Sequence, residues 1–328
     1  EDIMKDQILS AVNLKEYMPT TQMKLFNFDA KPFLKWAGGK GQLIPELVDR
    51  LPDKFKKSMH IPVYIEPFIG GGAFFFYLQS CFQIDNSIII DINRDLIITY
   101  QVIKYAVENL IALLSELDIK YNNASQTERT TLYYDIRKRF NYSKKHLDTT
   151  YNELWIRHTA YMIFLNRTCF NGLYRENKNG EFNVPHGRYD KPSICQAENL
   201  WDANKALSNT EILQGDFSLA ANYVEENTLI YYDPPYRPLT KTSNFNSYAK
   251  EGFADKDQIR LANFFKEMDR PDVYQILSNS DPRVTNPEDD FFDNLYKEYK
   301  ISRIQAKRMI NSDAEKRGNI TEILVTNY

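Results

Sequence analysis

Cysteine is scarce: Cys81, Cys169 and Cys195 are the only three in 328 residues, no two form a C-x-x-C pair, and histidines number only four. A disulfide framework and a thiolate or imidazole metal centre are therefore excluded as the expected basis of the fold, and a reducing, cytoplasmic setting fits best. No metal is expected. Uninterrupted apolar runs fall short of the roughly 20 residues needed to cross a bilayer, and no charged-then-apolar leader opens the sequence, so no membrane is expected either. The sequence opens on Glu1 rather than Met, as a chain trimmed from a longer one does. Neither sign of charge dominates: 41 basic side chains against 44 acidic ones give a net charge of −3 and a pI near 5.9. Indiscriminate coating of a polyanion is excluded by that balance, whereas a local basic cleft is not. Glycine is sparse too, and half of the twelve lie in two short stretches, Gly38, Gly39, Gly41 and Gly70, Gly71, Gly72.

What is present is a globular composition, 43% hydrophobic and 26% charged, with 22 tyrosines and 20 phenylalanines. Residues 1–30 read as a polar, helical N-terminal extension without evident chemistry. From Lys31 strand and helix signals alternate. "PVYIEPFIGGGAFFFYL" is a strand, a glycine turn and a helix start, and "SIIIDINRDLIITYQVIKYAVENLIALL" is a strand ending at Asp91 followed by a long helix. Residues 105–200 are helical and polar, then loop-rich. Strand runs return in "EILQGDF", "TLIYYDPPY", "DVYQILSN", "YKEYKISRI" and "EILVTNY", and the last two are expected to pair as an antiparallel hairpin. The pattern predicts an α/β protein with a Rossmann-like, doubly wound, mostly parallel sheet and a helical insertion. Its expected units are 31–104 and 201–328, two halves of one catalytic domain, with 105–200 inserted between them.

The glycines at 70–72 stand where a strand hands over to a helix. There the backbone approaches a ligand closely and the helix N-terminus favours an anionic group. Asp91, about 20 residues on, ends the next strand, where a carboxylate reaches ribose hydroxyls. A nucleoside-cofactor pocket is the expectation. A P-loop is excluded because Gly41, not Ser or Thr, follows Lys40; a dinucleotide fingerprint is weakened by Phe75 in place of its third glycine.

The stretch "LIYYDPPYRPL" (229–239) carries the reaction chemistry. Leu229 to Tyr232 are strand formers, and Pro234 and Pro235 then remove two backbone donors and stiffen the chain. Asp233 and the Pro234 carbonyl supply two acceptors on one rigid turn, suited to both hydrogens of an exocyclic amino group. Tyr236 adds a flat face for a heterocycle. Adenine N6 is a poor nucleophile because its lone pair is delocalised into the ring. Two such acceptors would draw it toward tetrahedral geometry, leaving alignment and electrostatics as the protein's main task.

With "EPFIGGG" (66–72) upstream and "DPPY" at 233–236, the chain resembles the S-adenosylmethionine-dependent DNA adenine-N6 methyltransferases. "FLKWAGGK" (33–40), "DIN" (91–93) and "FLNRTCFNGLYRENKNGEFNVPHGRY" (164–189) resemble the Dam-type branch, and the motif order is that of the α group. The resemblance runs from about residue 31 to the end and implies a class I methyltransferase fold. It also implies that Trp36, Lys40, Phe68, Gly70, Gly72, Asp91, Asp216, Phe217 and Asp233 enclose S-adenosylmethionine, and that Asp233, Pro234, Pro235 and Tyr236 hold the target adenine.

By the same resemblance Lys35, Phe170, Asn171, Arg175 and Arg188 contact double-stranded DNA. Phe170 and Asn171 form the wedge beside the flipped base and Arg175 reads a guanine. The basic run "RKRFNYSKKH" (137–146) suits phosphates. Methylation of adenine within GATC is the expected activity, with a cognate restriction endonuclease on the same site as a possible partner. Methylation of amino groups in RNA or protein, and a DNA-binding homologue without activity, are the alternatives.

Overall fold

Isoleucine- and valine-rich runs become central strands when both sheet faces are covered. The computed structural model describes residues 28–238, 253–306 and 320–328. Its strands are β1 (His60–Glu66), β2 (Gln83–Asp91), β3 (Thr210–Gln214), β4 (Thr228–Tyr232), β5 (Val273–Ser280), β6 (Lys300–Ala306) and β7 (Ile320–Thr326). They form one seven-stranded sheet in the order β3-β2-β1-β4-β5-β7-β6. β1 to β5 pair in parallel, and β7 runs antiparallel between β5 and β6, which gives the terminal hairpin expected from the sequence.

The side chains show why both faces must be covered. Tyr231 enters one core together with Tyr64, Ile89 and Leu229, while its neighbour Tyr232 enters the other with Ile65, Ile90 and Ile230. Helices α1 (Ile44–Asp49), α2 (Asp53–Ser58) and α3 (Ala73–Cys81) precede β2. In α3, Phe74, Phe75 and Phe76 are all nearly inaccessible, each ring contributing roughly 1.5–3 kcal/mol by burial. Helix α8 (Asp255–Glu267) supplies Leu261, Phe264 and Phe265 to the opposite face, and the short α9 (Phe291–Leu295) adds Phe292.

The insertion lies between β2 and the edge strand β3: α4 (Arg94–Asn123), α5 (Gln126–His146), α6 (Glu153–Thr168), a loop region, and α7 (Ala197–Ala206). Each long helix starts on a side-chain cap. Asn93 accepts from Leu96 N at α4, Ser125 and Glu128 form a capping box at α5, and Asn152 accepts from Leu154 N at α6. Helix α4 runs through the 104/105 boundary and kinks at Ala106, where φ is −144° and ψ is 36°. By length and mean hydropathy alone α4 could span a membrane. Its apolar side is instead buried in the core it shares with α6 and α7. Of the N-terminal extension, residues 1–27 lie outside the described residues; Ala30 is already buried, and Asp29 N donates to Asp202 Oδ2 at 3.0 Å.

Candidate active site

β1 and β4 are parallel neighbours, with Ile65 opposite Ile230. The chain leaving β1 at Glu66 and the chain leaving β4 at Tyr232 therefore emerge side by side at the carboxyl edge. The next strand in sequence after β1 lies on one side of it and β4 on the other, so this edge is the topological switch point where a crevice opens.

The glycine loop lines one wall. Gly70 and Gly72 have φ of +47° and +69°, which favours glycine, and a Cβ on either would collide: at 3.0 Å with Trp36 Cδ1 from Gly70 and at 2.6 Å with the Tyr100 hydroxyl from Gly72. Gly70 N donates to Asp91 Oδ2 at 3.1 Å, and Asn93 N donates to Asp91 Oδ1 at 2.9 Å. Burial pushes the Asp91 carboxyl above its ordinary value, against the pull of those amides. Among the described residues the Gly71 N–H finds no acceptor. Beneath the loop Glu66 is 2% exposed and accepts from the Tyr64 hydroxyl at 2.7 Å; burial drives its pKa well up. Phe68 and Phe217 face each other with ring centres 5.5 Å apart, and Phe253 closes on both. Asp216, by contrast, is gripped by Arg260 through two bonds of 2.8 and 2.6 Å, and its carboxyl is held low, at about 2, chiefly by that bond. The arrangement fits a nucleoside with an amino-acid arm: a backbone cradle that a Cβ would fill, an open loop amide, a strand-end carboxylate and a phenylalanine slot.

The proline turn forms the other wall. Asp233 Oδ1 accepts from Ser278 Oγ at 2.9 Å and lies 3.4 Å from the Lys40 ammonium. Burial raises its carboxyl to about 6, with Lys40 and Ser278 opposing the shift. The Lys40 ammonium also sits over the Tyr236 ring, 3.6 Å from its centre, and the Tyr236 hydroxyl donates to Glu322 Oε2 at 2.7 Å. The Pro235 carbonyl accepts from the buried Gln258 at 3.0 Å, and Gln258 in turn accepts from Asn279 at 3.1 Å. Asn279 also accepts from the Arg237 amide at 3.2 Å, while the Arg237 guanidinium is held by Asp255 and Asp289. Among the described residues none donates to the Pro234 carbonyl. The turn thus keeps one carboxylate oxygen and one carbonyl for a ligand, beside an aromatic ring capped by the Lys40 ammonium.

The residues expected to meet DNA adjoin this crevice. Asn166 on α6 ties Lys35 to the wedge segment, accepting from Lys35 N at 2.7 Å and donating to the carbonyls of Lys35 at 2.8 Å and Gly172 at 3.1 Å. Phe170 and Asn171 are exposed, and the Asn171 amide donates to the Tyr189 hydroxyl, whose ring carries the Lys35 ammonium at 5.3 Å. Residues 173–184 fold back on themselves through the Glu176–Phe182 bridge. Arg175 is exposed there and donates from Nε to Asn183 Oδ1 at 2.7 Å. Arg188 is exposed with φ of +56°. Lys35 and Trp36 are adjacent, so the residues expected at DNA and those expected at the cofactor meet on one stretch of chain.

Sequence reasoning overlooked Ser278, Asn279, Gln258 and Glu322, which hold the turn, and Asn166, which holds the wedge. One signal existed: "LSNS" ends a largely apolar strand in three polar residues, and Ser278, Asn279 and Ser280 are all buried. Gln258 and Glu322 had none, since only packing brings them to the turn.

Residues 36–310 match the family described as D12 class N6 adenine-specific DNA methyltransferase. A type II methyltransferase, M.MjaIII of Methanocaldococcus jannaschii, is 45% identical over 92% of this chain and 100% of its own length. The DNA adenine methylase of Haemophilus influenzae is 33% identical over 90% of this chain and 92% of its own. That of Escherichia coli is 31% identical over 90% and 94%.

Proposed function

The chain belongs to the D12 class of N6 adenine-specific DNA methyltransferases, and from that premise we propose that it moves the methyl group of S-adenosylmethionine to N6 of an adenine turned out of duplex DNA, within GATC. The observation that carries the reading is the cluster of Asp233, Lys40 and Tyr236, set on the strand next to the glycine loop.

When bound, S-adenosylmethionine supplies an electrophilic methyl group on a sulfonium, whose departure needs no protein acid. Trp36, the loop at 70–72 and Asp91 would hold it, with Phe68 and Phe217 as the slot for its purine. On the substrate side, Asp233 and the Pro234 carbonyl accept hydrogen bonds from the two N6 hydrogens and expose the nitrogen's lone pair; once the S–CH3 bond has broken and the N–CH3 bond formed, the nitrogen loses one of these protons to solvent. With a pKa near 6 the Asp233 carboxyl is ionised at neutral pH, and so accepts rather than donates. Tyr236, its ring angle fixed by Glu322, stacks on the base and offsets lost stacking by ~1–3 kcal/mol. Phe170 and Asn171 fill the gap in the duplex, Arg175 reads a guanine and Arg188 contacts DNA nearby. The choice of GATC is supported by "FNGLYR" (170–175) and by Lys35 beside it, since these resemble the branch that reads this site.

DNA free of N6-methyladenine, incubated with the protein and S-adenosylmethionine, should gain the modification at GATC and become resistant to an endonuclease that GATC methylation blocks. Absence of methylated adenine would refute the reading; methylation at another sequence would refute the site.

A further inference from the structure

Behind the reading hairpin lies a buried polar cluster that the transfer reaction does not use. Asp95, in the first turn of α4, is 1% exposed and is contacted by three groups: the Lys144 ammonium, the Tyr174 hydroxyl, and His158 Nε2 at 3.1 Å. Burial alone would raise the Asp95 carboxyl, but His158 and Lys144 hold it below the usual carboxylate range. Ser143 Oγ lies 2.7 Å from His158 Nδ1, and Glu176 takes bonds of 2.5 Å from both Lys144 and Tyr174. The serine, histidine and aspartate recur from hydrolases, yet Ser143 is 2% exposed and donates to Phe140 O, so no substrate reaches it.

Tyr174 is the member with two outlets. It immediately precedes Arg175. Its ring lies 5.3 Å from that of Trp36, whose indole would crowd a Cβ at Gly70, 3.0 Å from Cδ1. Its hydroxyl is fixed on Asp95, four residues after Asp91, the carboxylate that receives the Gly70 amide. One aromatic side chain therefore touches Trp36, which flanks the glycine loop, and Asp95, in the first helical turn after Asp91. Arg175 meanwhile spends its guanidinium on Asn183 across the hairpin. To grip a guanine edge through Nε and Nη2 it would exchange that partner for the base, which gives the hairpin a means of registering the base.

We propose that Tyr174, anchored by Asp95, is a positioning residue that links base reading by the hairpin to the grip of the cofactor loop, so that cognate DNA and cofactor tighten each other's binding. The proposal rests on the methyltransferase reading. The linkage is reciprocal, because a free-energy coupling between two sites acts equally in both directions.

The test is equilibrium binding of S-adenosylhomocysteine to the full chain, with and without a GATC duplex, in the wild type and in Tyr174→Phe. That substitution removes the hydroxyl ties and keeps the ring on Trp36. The wild type should bind S-adenosylhomocysteine at least about fivefold more tightly with the duplex than without. In Tyr174→Phe the ratio should fall below about twofold, while affinity for each ligand alone stays within about threefold. A merely structural tyrosine would weaken both separately and leave the ratio intact. Glu176→Ala, which removes the partly exposed second acceptor of the same hydroxyl, decides the matter if Tyr174→Phe lowers Tm too far to measure. An unchanged ratio in the folded variant, or no ratio in the wild type, overturns the linkage even where methyl transfer persists. Absence of methyl transfer by the wild type would instead strike the reading beneath it.

Discussion

The Lys40 ammonium stands 3.6 Å from the centre of the Tyr236 ring and 3.4 Å from Asp233 Oδ1, covering the aromatic face and neutralising the carboxylate together. A base stacking on that face must displace it or share the space, so Lys40 sets the charge of the pocket until substrate arrives. Removing the ammonium in Lys40→Gln takes away the group that most lowers the Asp233 carboxyl. The acid limb of kcat/KM, which reports the free enzyme and should lie near pH 6, is expected to move upward by roughly one unit. A pH profile of methyl transfer checks it; a limb that stays in place would detach Lys40 from Asp233.

Asp233→Asn should cut methyl transfer by at least about a hundredfold, because an amide is a weaker acceptor at the reacting nitrogen. The same change should stabilise the fold at pH 8 by about 2 kcal/mol. The sign follows from the raised pKa. A carboxyl at about 6 when folded and near 4 when unfolded binds its proton more tightly in the fold, so its contribution is present at low pH and lost as pH rises through 6. Denaturation of the variant and the wild type should converge below about pH 4.

Gln258 touches no ligand, yet it spans the Pro235 carbonyl and Asn279. Gln258→Leu leaves the buried Asn279 amide without this partner and frees the Pro235 carbonyl, a loss of about 1–3 kcal/mol in stability. With the turn unbraced, kcat should drop by about tenfold or more while duplex affinity changes less than about twofold. Single-turnover kinetics beside a binding isotherm separate the two.

Gly172 has φ of +62°, and a Cβ there would come within 2.3 Å of Lys35 Cδ. Gly172→Ala should strain the backbone by about 1 kcal/mol or more and push Lys35 from its seat on Tyr189. Duplex binding should weaken, with affinity for S-adenosylhomocysteine alone preserved, as calorimetry would show.

Arg175→Ala should relax discrimination at a single base pair, by ~1–3 kcal/mol, when methylation rates are compared across duplexes substituted one position at a time. Uniform loss across all of them would make Arg175 a phosphate contact.

Much of this was legible in the chain because local rules and the global fold agree. Gly70 and Gly72 need φ values that side chains resist, and two prolines after Asp233 stop a strand; both effects act within a few residues. The alternation of strand and helix likewise announced the sheet. What escaped notice acts over long separations. Glu322 reaches Tyr236 across 86 positions, Asn166 reaches Lys35 across 131, and Tyr174 reaches Asp95 across 79. An isolated Gln or Glu carries no sign of its partner until the sheet places strands of distant number side by side. Asp216 shows the same dependence on distance: its motif says nothing of Arg260 on α8, which holds both of its oxygens.

The helices that carry the hairpin all enter between β2 and β3, at the sheet's outer margin, whereas the glycine loop and the proline turn leave its two middle strands. On the reading proposed above, the target-reading residues other than Lys35 form one contiguous block of polypeptide that could be exchanged with the glycine loop and proline turn untouched. The joint between Tyr174 and Asp95 is what such an exchange must carry along, since a hairpin grafted without its hydroxyl would read DNA and leave the donor cradle uninformed.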